Sequence, residues 1–501
     1  MSSADDSAGV AAEVVRWGTP AARWILLSTI LASGMAFLDG TVVNVALPAL
    51  GSDLGADVSG LQWVLNGYML TLASLILLAG SLGDRLGRRR VFLVGVAWFA
   101  AASLLCGLAP NVATLVAART LQGIGGALLT PGSLAILDAS FARGDRPRAI
   151  GAWSGLSGVF AAIGPLLGGW LVDVASWRLV FLINLPAAAV VVYVGIRHIP
   201  ESFDPTAAGR LDFAGAALGA AGLAGVTYAL IEAPGQGVTS PLILTTAVLG
   251  AASMAAFVIV EARRSHPMLP LEIFSSRQFT SANVVTFAMY GALSGVFFLL
   301  ILQLIVVLGY TEMQAGIASA PVTLLMLLLS ARAGALAQRI GPRVPMSLGP
   351  LLIAGGILLM LRIAPGAMYV SAVLPAVVVF GLGLSLTVAP LTATVLAAAD
   401  ERHAGVASGV NNAVARAAGL LAVAVLPVVA GLSGEDYRDP QAFAAGFRVA
   451  MIAAAALAAG AGVVGWLTIR NDVLLDPDQC RETHCAVGGP PLRSKPAGAV
   501  R

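Results

Sequence analysis

GSLGDRLGRRR, Gly80 to Arg90, sets one aspartate and four arginines between two long apolar runs. A cluster of that kind marks a hairpin on the cytoplasmic face of a membrane, where Lys and Arg collect. The rest of the 501 residues agree: 58% are hydrophobic and only 11% charged, against about 25% charged in a soluble domain. The composition predicts an all-α integral membrane protein. Gly and Ala abound and aromatic residues are few, which suits helices that pack on one another through small residues. A net charge of +3, scattered along the chain, offers no footprint for nucleic acid.

Arginine supplies every basic residue except Lys495, a bias that reads as a GC-rich bacterial genome. That lysine follows Ser494, so no G-K-[ST] phosphate loop exists and no ATP site of that type is expected. Any pumping must then draw on an ion gradient, with no bound cofactor, or on a partner ATPase. Cys106, Cys480 and Cys485 make no disulfide framework. Cys480, His484 and Cys485 lack a fourth ligand at a zinc spacing, so no metal is expected. The first 22 residues carry Asp5, Asp6 and Glu13 without a cleavage-type signal, so the first span is expected to be retained.

A bilayer span needs about 20 apolar residues. Apolar runs between charged or Pro/Gly-rich breaks give fourteen, at 24–48, 61–82, 91–109, 112–137, 149–172, 179–197, 211–232, 241–261, 280–307, 315–337, 345–364, 368–390, 405–432 and 447–468. Placing both termini inside puts Arg16, Arg23, the Arg85–Arg90 cluster, Arg143, Arg146, Arg148, Arg197, Arg210, Arg263, Arg264, Arg277, Arg339, Arg343, Arg402 and the tail in the cytoplasm. Only Arg178, Arg362, Arg438 and Arg448 remain outside. The expected location is the bacterial cytoplasmic membrane. GALAQRIGPRV, Gly334 to Val344, repeats the opening stretch 254 positions later, with Gln338 in place of Asp84 and Pro342 in place of Arg88.

The Gly80–Arg90 stretch resembles the loop signature of the major facilitator superfamily, G-x-L-x-D-R-x-G-R, with Gly80, Leu82, Asp84, Arg85, Gly87 and Arg88 at matching positions. Eight spans separate the copies, which equals a six-helix half plus two extra helices. The implied fold is two pseudo-symmetric six-helix bundles at 24–200 and 266–470, a helix pair inserted at 201–265, and cytoplasmic tails at 1–23 and 471–501. Four further stretches resemble motifs of the fourteen-helix drug:proton antiporter family: LDGTVVNVALP from Leu38, LQWVLNGYML from Leu61, RTLQGIGGALLTPGS from Arg119 and GVFAAIGPLLGGWL from Gly158. The resemblance implies a secondary active transporter, not an enzyme, that exports hydrophobic drugs or antibiotics in exchange for protons by alternating access. Export of one endogenous metabolite is the alternative. A non-transporting membrane sensor is more remote, since both tails are short.

Asp39 stands some 22 Å along its span at about 1.5 Å per residue, near mid-membrane. A carboxylate there costs about 2.5–3.5 kcal/mol on insertion scales, so it must face the interior and either pair or take up a proton. Arg119 enters the fourth span from the other end, within reach, and is expected to be its charge partner; a packing Asp and a snorkelling Arg are the bland alternatives. Gly158, Gly164, Gly168 and Gly169 around Pro165 make a small face that can bend or seal against a neighbour, and the resemblance assigns it the seal against proton leak. The same resemblance gives Gly80, Asp84, Arg85, Gly87 and Arg88 a conformational latch, with a tight turn in the eleven-residue loop supplied by its glycines. Arg332 and Arg416 are cations inside spans of the second half, whereas no carboxylate besides Asp39 lies well inside a span. The expected substrate is a hydrophobic neutral or monocationic compound lined by Asp39, Trp63, Asn66, Tyr68, Gln122, Trp153 and Asn411.

Overall fold

A computed structural model describes residues 15–142, 144–203, 211–264, 267–399, 404–434, 436 and 439–474. Arg143, Arg210, Arg402, Arg438 and the tail residues Cys480, His484 and Cys485 lie outside the described residues. In lipid the backbone must satisfy its own hydrogen bonds, and helices do so. Among the described residues, thirteen helices are long and apolar enough to cross a bilayer, and Pro345–Met360 is a shorter apolar fourteenth. They are α1 (Pro20–Leu54), α2 (Val58–Leu86), α3 (Arg88–Gly107), α4 (Val112–Ser140), α5 (Arg146–Val174), α6 (Leu179–His198, interrupted at Ile183) and α7 (Phe213–Gln236). The rest are α8 (Pro241–Arg263), α9 (Arg277–Val307, ending in a π turn), α10 (Glu312–Ile340), α11 (Pro345–Met360), α12 (Tyr369–Ala397, beginning in a π turn), α13 (Ala404–Val429) and α14 (Pro440–Thr468). Side-chain caps from Thr19, Asp57, Asn111, Asp212, Ser276, Thr311 and Asp439 satisfy the first amides of seven of these helices.

α1–α6 pack on one another and α9–α14 pack on one another, giving the two six-helix bundles. They meet along two seams, α5 against α10 and α2 against α13. α7 lies across the second seam, on both α2 and α13, and α8 packs on α7. Close approach depends on missing side chains: a Cβ on Gly125 of α4 would stand 2.6 Å from the Phe99 nitrogen of α3.

Most helices overrun the predicted spans, since a span read from hydropathy stops near a charge while the helix does not; α11 and α13 instead end before residues 364 and 432, the ends of their predicted spans. The eleven-residue loop expected at Gly80–Arg90 is the clearest case. α2 runs through Leu86 and α3 begins at Arg88, so Gly87 alone breaks the helix, at φ +108°. Gly80 lies inside α2, and Arg448, expected in an outer loop, lies in the third turn of α14.

Candidate functional site

α1 and α4 bring their two intramembrane charges together. Asp39 is fully buried and Arg119 is 1% exposed. Arg119 Nη1 lies 2.6 Å from Asp39 Oδ2 and also donates to Gln122 Oε1 at 2.6 Å, while its Nε donates to the Val64 carbonyl at 3.1 Å. Gln122 Nε2 donates to the second aspartate oxygen at 2.8 Å. The guanidinium stacks 4.4 Å from the Tyr68 ring centroid, and the Phe181 ring lies 5.7 Å away. Every carboxylate oxygen therefore has a donor, and the charge is matched within one bundle.

A second layer orients Gln122. Ser103 Oγ accepts from Gln122 Nε2 at 2.8 Å and from Asn184 Nδ2 at 3.3 Å, and the Cys106 thiol donates to Gln122 Oε1 at 3.6 Å. Ser103, Cys106 and Asn184 are not among the site residues expected from the sequence, where Cys106 is read only for disulfides. Their signal was present, since each is a small polar group in an apolar run.

The expected lining residues part company. Tyr68 and Gln122 join the Asp39–Arg119 cluster. Asn66 is fully buried with neither amide atom hydrogen-bonded, one turn after Gln62, whose Nε2 donates to the Val423 carbonyl of α13 at 2.7 Å. Trp63 turns elsewhere: its indole donates to Glu232 Oε1 of α7 at 2.8 Å and its ring meets Tyr228 at 6.0 Å, because that acid is the partner its N–H finds. Trp153 donates to Ser33 Oγ of α1 at 3.0 Å. Asn411 ties α13 to α9 through Thr286 Oγ1 at 2.8 Å and Asn283 Oδ1 at 3.2 Å. These three do not gather around Asp39.

The glycine run on α5 sits on the first seam. A Cβ on Gly168 would stand 2.6 Å from Val42 Cγ2 of α1, and one on Gly169 would stand 2.6 Å from the Glu312 carbonyl at the start of α10. Gly164 abuts Thr41, and Gly316 of α10 abuts the Pro165 carbonyl. Thr311 Oγ1 donates to Asp173 Oδ2 at 2.8 Å beside them. Gly158, two turns back, has open space around it. On the second seam, the Val58 amide donates to the Gly434 carbonyl at 3.0 Å. These inter-bundle bonds, with that of Gln62, lie at the face opposite the Gly80–Arg90 hairpin.

The hairpin itself is clamped by Glu201, 112 positions beyond Arg89. Glu201 Oε1 accepts the Arg89 amide at 3.0 Å, Oε2 lies 3.7 Å from both Arg89 Nε and Arg90 Nε, and a Cβ on Gly87 would strike its carboxyl carbon at 2.7 Å. Asp84 pairs with Arg88 at 2.9 Å, within the hairpin. The second copy repeats the clamp: Gly341 has φ +84° and the Arg343 amide donates to Asn471 Oδ1 at 3.2 Å. Arg89 and Arg343 are again 254 positions apart, so the repeat is one of structure, with a neutral amide in the place of the acid. Among the described residues no three His, Cys, Asp or Glu side chains gather to hold a metal.

Comparison with known proteins gives the family. The model of the Major Facilitator Superfamily matches residues 29–423. The chain is 37% identical over 412 residues to puromycin resistance protein pur8 of Streptomyces alboniger, covering 81% of this chain and 82% of that one. It is 35% identical to multidrug resistance protein Stp of Mycobacterium tuberculosis, covering 77% and 72%. A similar arrangement is found in the crystal structure of a bacterial homolog to the human lysosomal transporter Spinster, with a TM-score of 0.64 at 16% identity over 92% of this chain and 99% of that one. The chain belongs to the major facilitator superfamily: it is a multi-pass membrane protein of a transporter family, not an enzyme.

Proposed function

We propose that this member of the major facilitator superfamily exports hydrophobic drugs or antibiotics in exchange for protons, by alternating access across the bacterial cytoplasmic membrane with both termini cytoplasmic. The buried Asp39–Arg119 pair carries the reading. A proton taken by Asp39 removes the ion pair between α1 and α4, while Arg119 keeps Gln122 Oε1, the Val64 carbonyl and the Tyr68 face. Protonation thus changes how α1 is held without leaving a guanidinium stranded, and the bundles at 24–200 and 266–470 rock about the inserted pair at 201–265 in response. Relatives named for puromycin, tetracenomycin C and methylenomycin A resistance support an antibiotic as cargo.

Gly164, Pro165, Gly168 and Gly169 form the seal on the outer side, and Gly158 joins them when the opposite side closes. Gly80, Asp84, Arg85, Gly87 and Arg88 act as the latch, Asp84 exchanging Arg88 for the second bundle. Asn66, Tyr68 and Gln122 are the lining polar groups retained from the sequence.

The polarity of the cargo follows from what is unpaired. Asp39 is neutralised, whereas Arg416, midway along α13, has no hydrogen bond or ion pair among the described residues and stands in electrostatic reach of Tyr68 and Tyr290. An unpaired cation within a span disfavours dications and suits neutral or acidic amphiphiles. Uptake of puromycin, tetracenomycin C and methylenomycin A into inverted vesicles tests the function. Accumulation that collapses when an uncoupler dissipates the pH gradient supports it, and accumulation indifferent to the gradient refutes the proton exchange.

A further inference from the structure

The inserted helix pair holds a second buried acid site, built from residues to which the proposed transport cycle gives no part. Asp212 caps the first turn of α7 and Glu261 lies in the last turn of α8; they are 4% and 2% exposed. Half of each carboxyl group is accounted for. Asp212 Oδ1 accepts the Gly215 amide at 2.7 Å and lies 2.8 Å from Arg264 Nη1, while Glu261 Oε2 accepts the Leu269 amide at 2.7 Å. The other two oxygens, Asp212 Oδ2 and Glu261 Oε1, are buried without a hydrogen-bond partner. They converge on one spot: a Cβ on Gly215 would abut Glu261 Oε1 and stand 2.8 Å from Asp212 Oδ2.

Two ionised carboxylates only accept hydrogen bonds, so neither can satisfy the other, and like charges held together away from water cannot both persist. One proton resolves both defects. We propose that Asp212 and Glu261 form a proton-binding site in which Glu261 Oε1–H donates to Asp212 Oδ2. The helices decide which acid holds the proton. Asp212 sits at the positive N-terminal end of α7 and beside Arg264, and both favour its carboxylate; Glu261 sits among the last carbonyls of α8, which favour a neutral acid. Among the described residues, the charged groups that face Glu261 are Asp212 from α7 and Arg264 from the connection after α8. With the proton bound, Asp212 and Arg264 cancel and Glu261 is neutral. Its release to water leaves two carboxylates against one guanidinium. Glu261 also holds the Leu269 amide, on the connection that leads into α9, so the proton controls how firmly the inserted pair is fastened to the second bundle.

The test is thermal unfolding of the full chain in detergent from about pH 5 to about pH 9, for wild type, Glu261→Gln and Asp39→Asn. An acid favoured in its protonated form by the fold contributes stability at low pH that is lost as pH rises. Wild type and Asp39→Asn should therefore lose melting temperature with rising pH by several degrees more than Glu261→Gln, whose amide donates to Asp212 without titrating. Parallel profiles for all three would overturn the site. Infrared spectra of wild type and Asp39→Asn should each show a protonated carboxyl band at neutral pH that loses intensity in Glu261→Gln. No such band in Asp39→Asn would overturn the site even if the glutamine variant fails to fold. Because Asp39→Asn serves as the background, loss of export leaves this outcome untouched.

Discussion

Arg119 Nη1 and Asp39 Oδ2 lie 2.6 Å apart, and both belong to the same six-helix bundle. A pair between bundles would break whenever they separate; this one breaks when α1 and α4 shift or when a proton arrives. Its partners are arranged for that asymmetry. Arg119 keeps Gln122 and Val64 if the aspartate is neutralised, while Asp39 keeps only Gln122 if the arginine leaves.

Removing the arginine of this buried ion pair strands the aspartate, which keeps only Gln122. Arg119→Gln should lower stability by about 3–5 kcal/mol, and Asp39→Asn combined with Arg119→Gln should cost much less than the two single changes added together. Chemical or thermal unfolding in detergent measures the coupling. Additive losses would mean that the two charges do not depend on each other.

Gly169 leaves no room for a side chain against the Glu312 carbonyl. Gly169→Leu should hold the α5–α10 seam apart, abolishing transport while leaving the helical content unchanged. A cysteine placed at Thr311 should then react with an impermeant thiol reagent several-fold faster than in the parent carrying Gly169. An unchanged rate would show that the seam tolerates the bulk.

Glu201 serves two arginines and a helix N-terminus, whereas Asn471 supplies a neutral oxygen to the equivalent amide. Glu201→Ala should therefore destabilise more than Asn471→Ala, by about 1–2 kcal/mol, since hydrogen bonds to charged groups are worth more than neutral ones. Melting temperatures in matched detergent compare the two. Equal losses would remove the role given to the charge.

Arg416 should select against cationic cargo. Arg416→Gln should shift the ratio of amine to carboxylate uptake, measured with pyrenebutylamine and pyrenebutyrate in inverted vesicles, about tenfold toward the amine, a change of about 1.4 kcal/mol. Arg416→Lys should keep the wild-type ratio. A ratio that ignores both substitutions would count against a neutral or acidic substrate.

The fourteen helices and the reach between Asp39 and Arg119 were legible because both rest on local quantities: run length, charge placement and rise per residue. Partners distant in sequence were not. Nothing near Arg89 announces that an acid 112 positions later will clamp it, and nothing near Trp63 announces Glu232 on an inserted helix. The Gly80–Arg90 stretch misled for a physical reason. Its arginines, leucines and aspartate are compatible with helix, so charge ends the hydrophobic span while the helix continues to the one glycine with positive φ. Glu261 escaped notice in the same way, at the end of an apolar run where an acid reads as a boundary.

If Asp39 carries the exchanged proton, its replacement must abolish proton release. Adding a transported antibiotic to detergent-purified protein in weak buffer should release protons from wild type, and Asp39→Asn, bound to the same compound, should release none. Equal release from the two proteins would contradict the account.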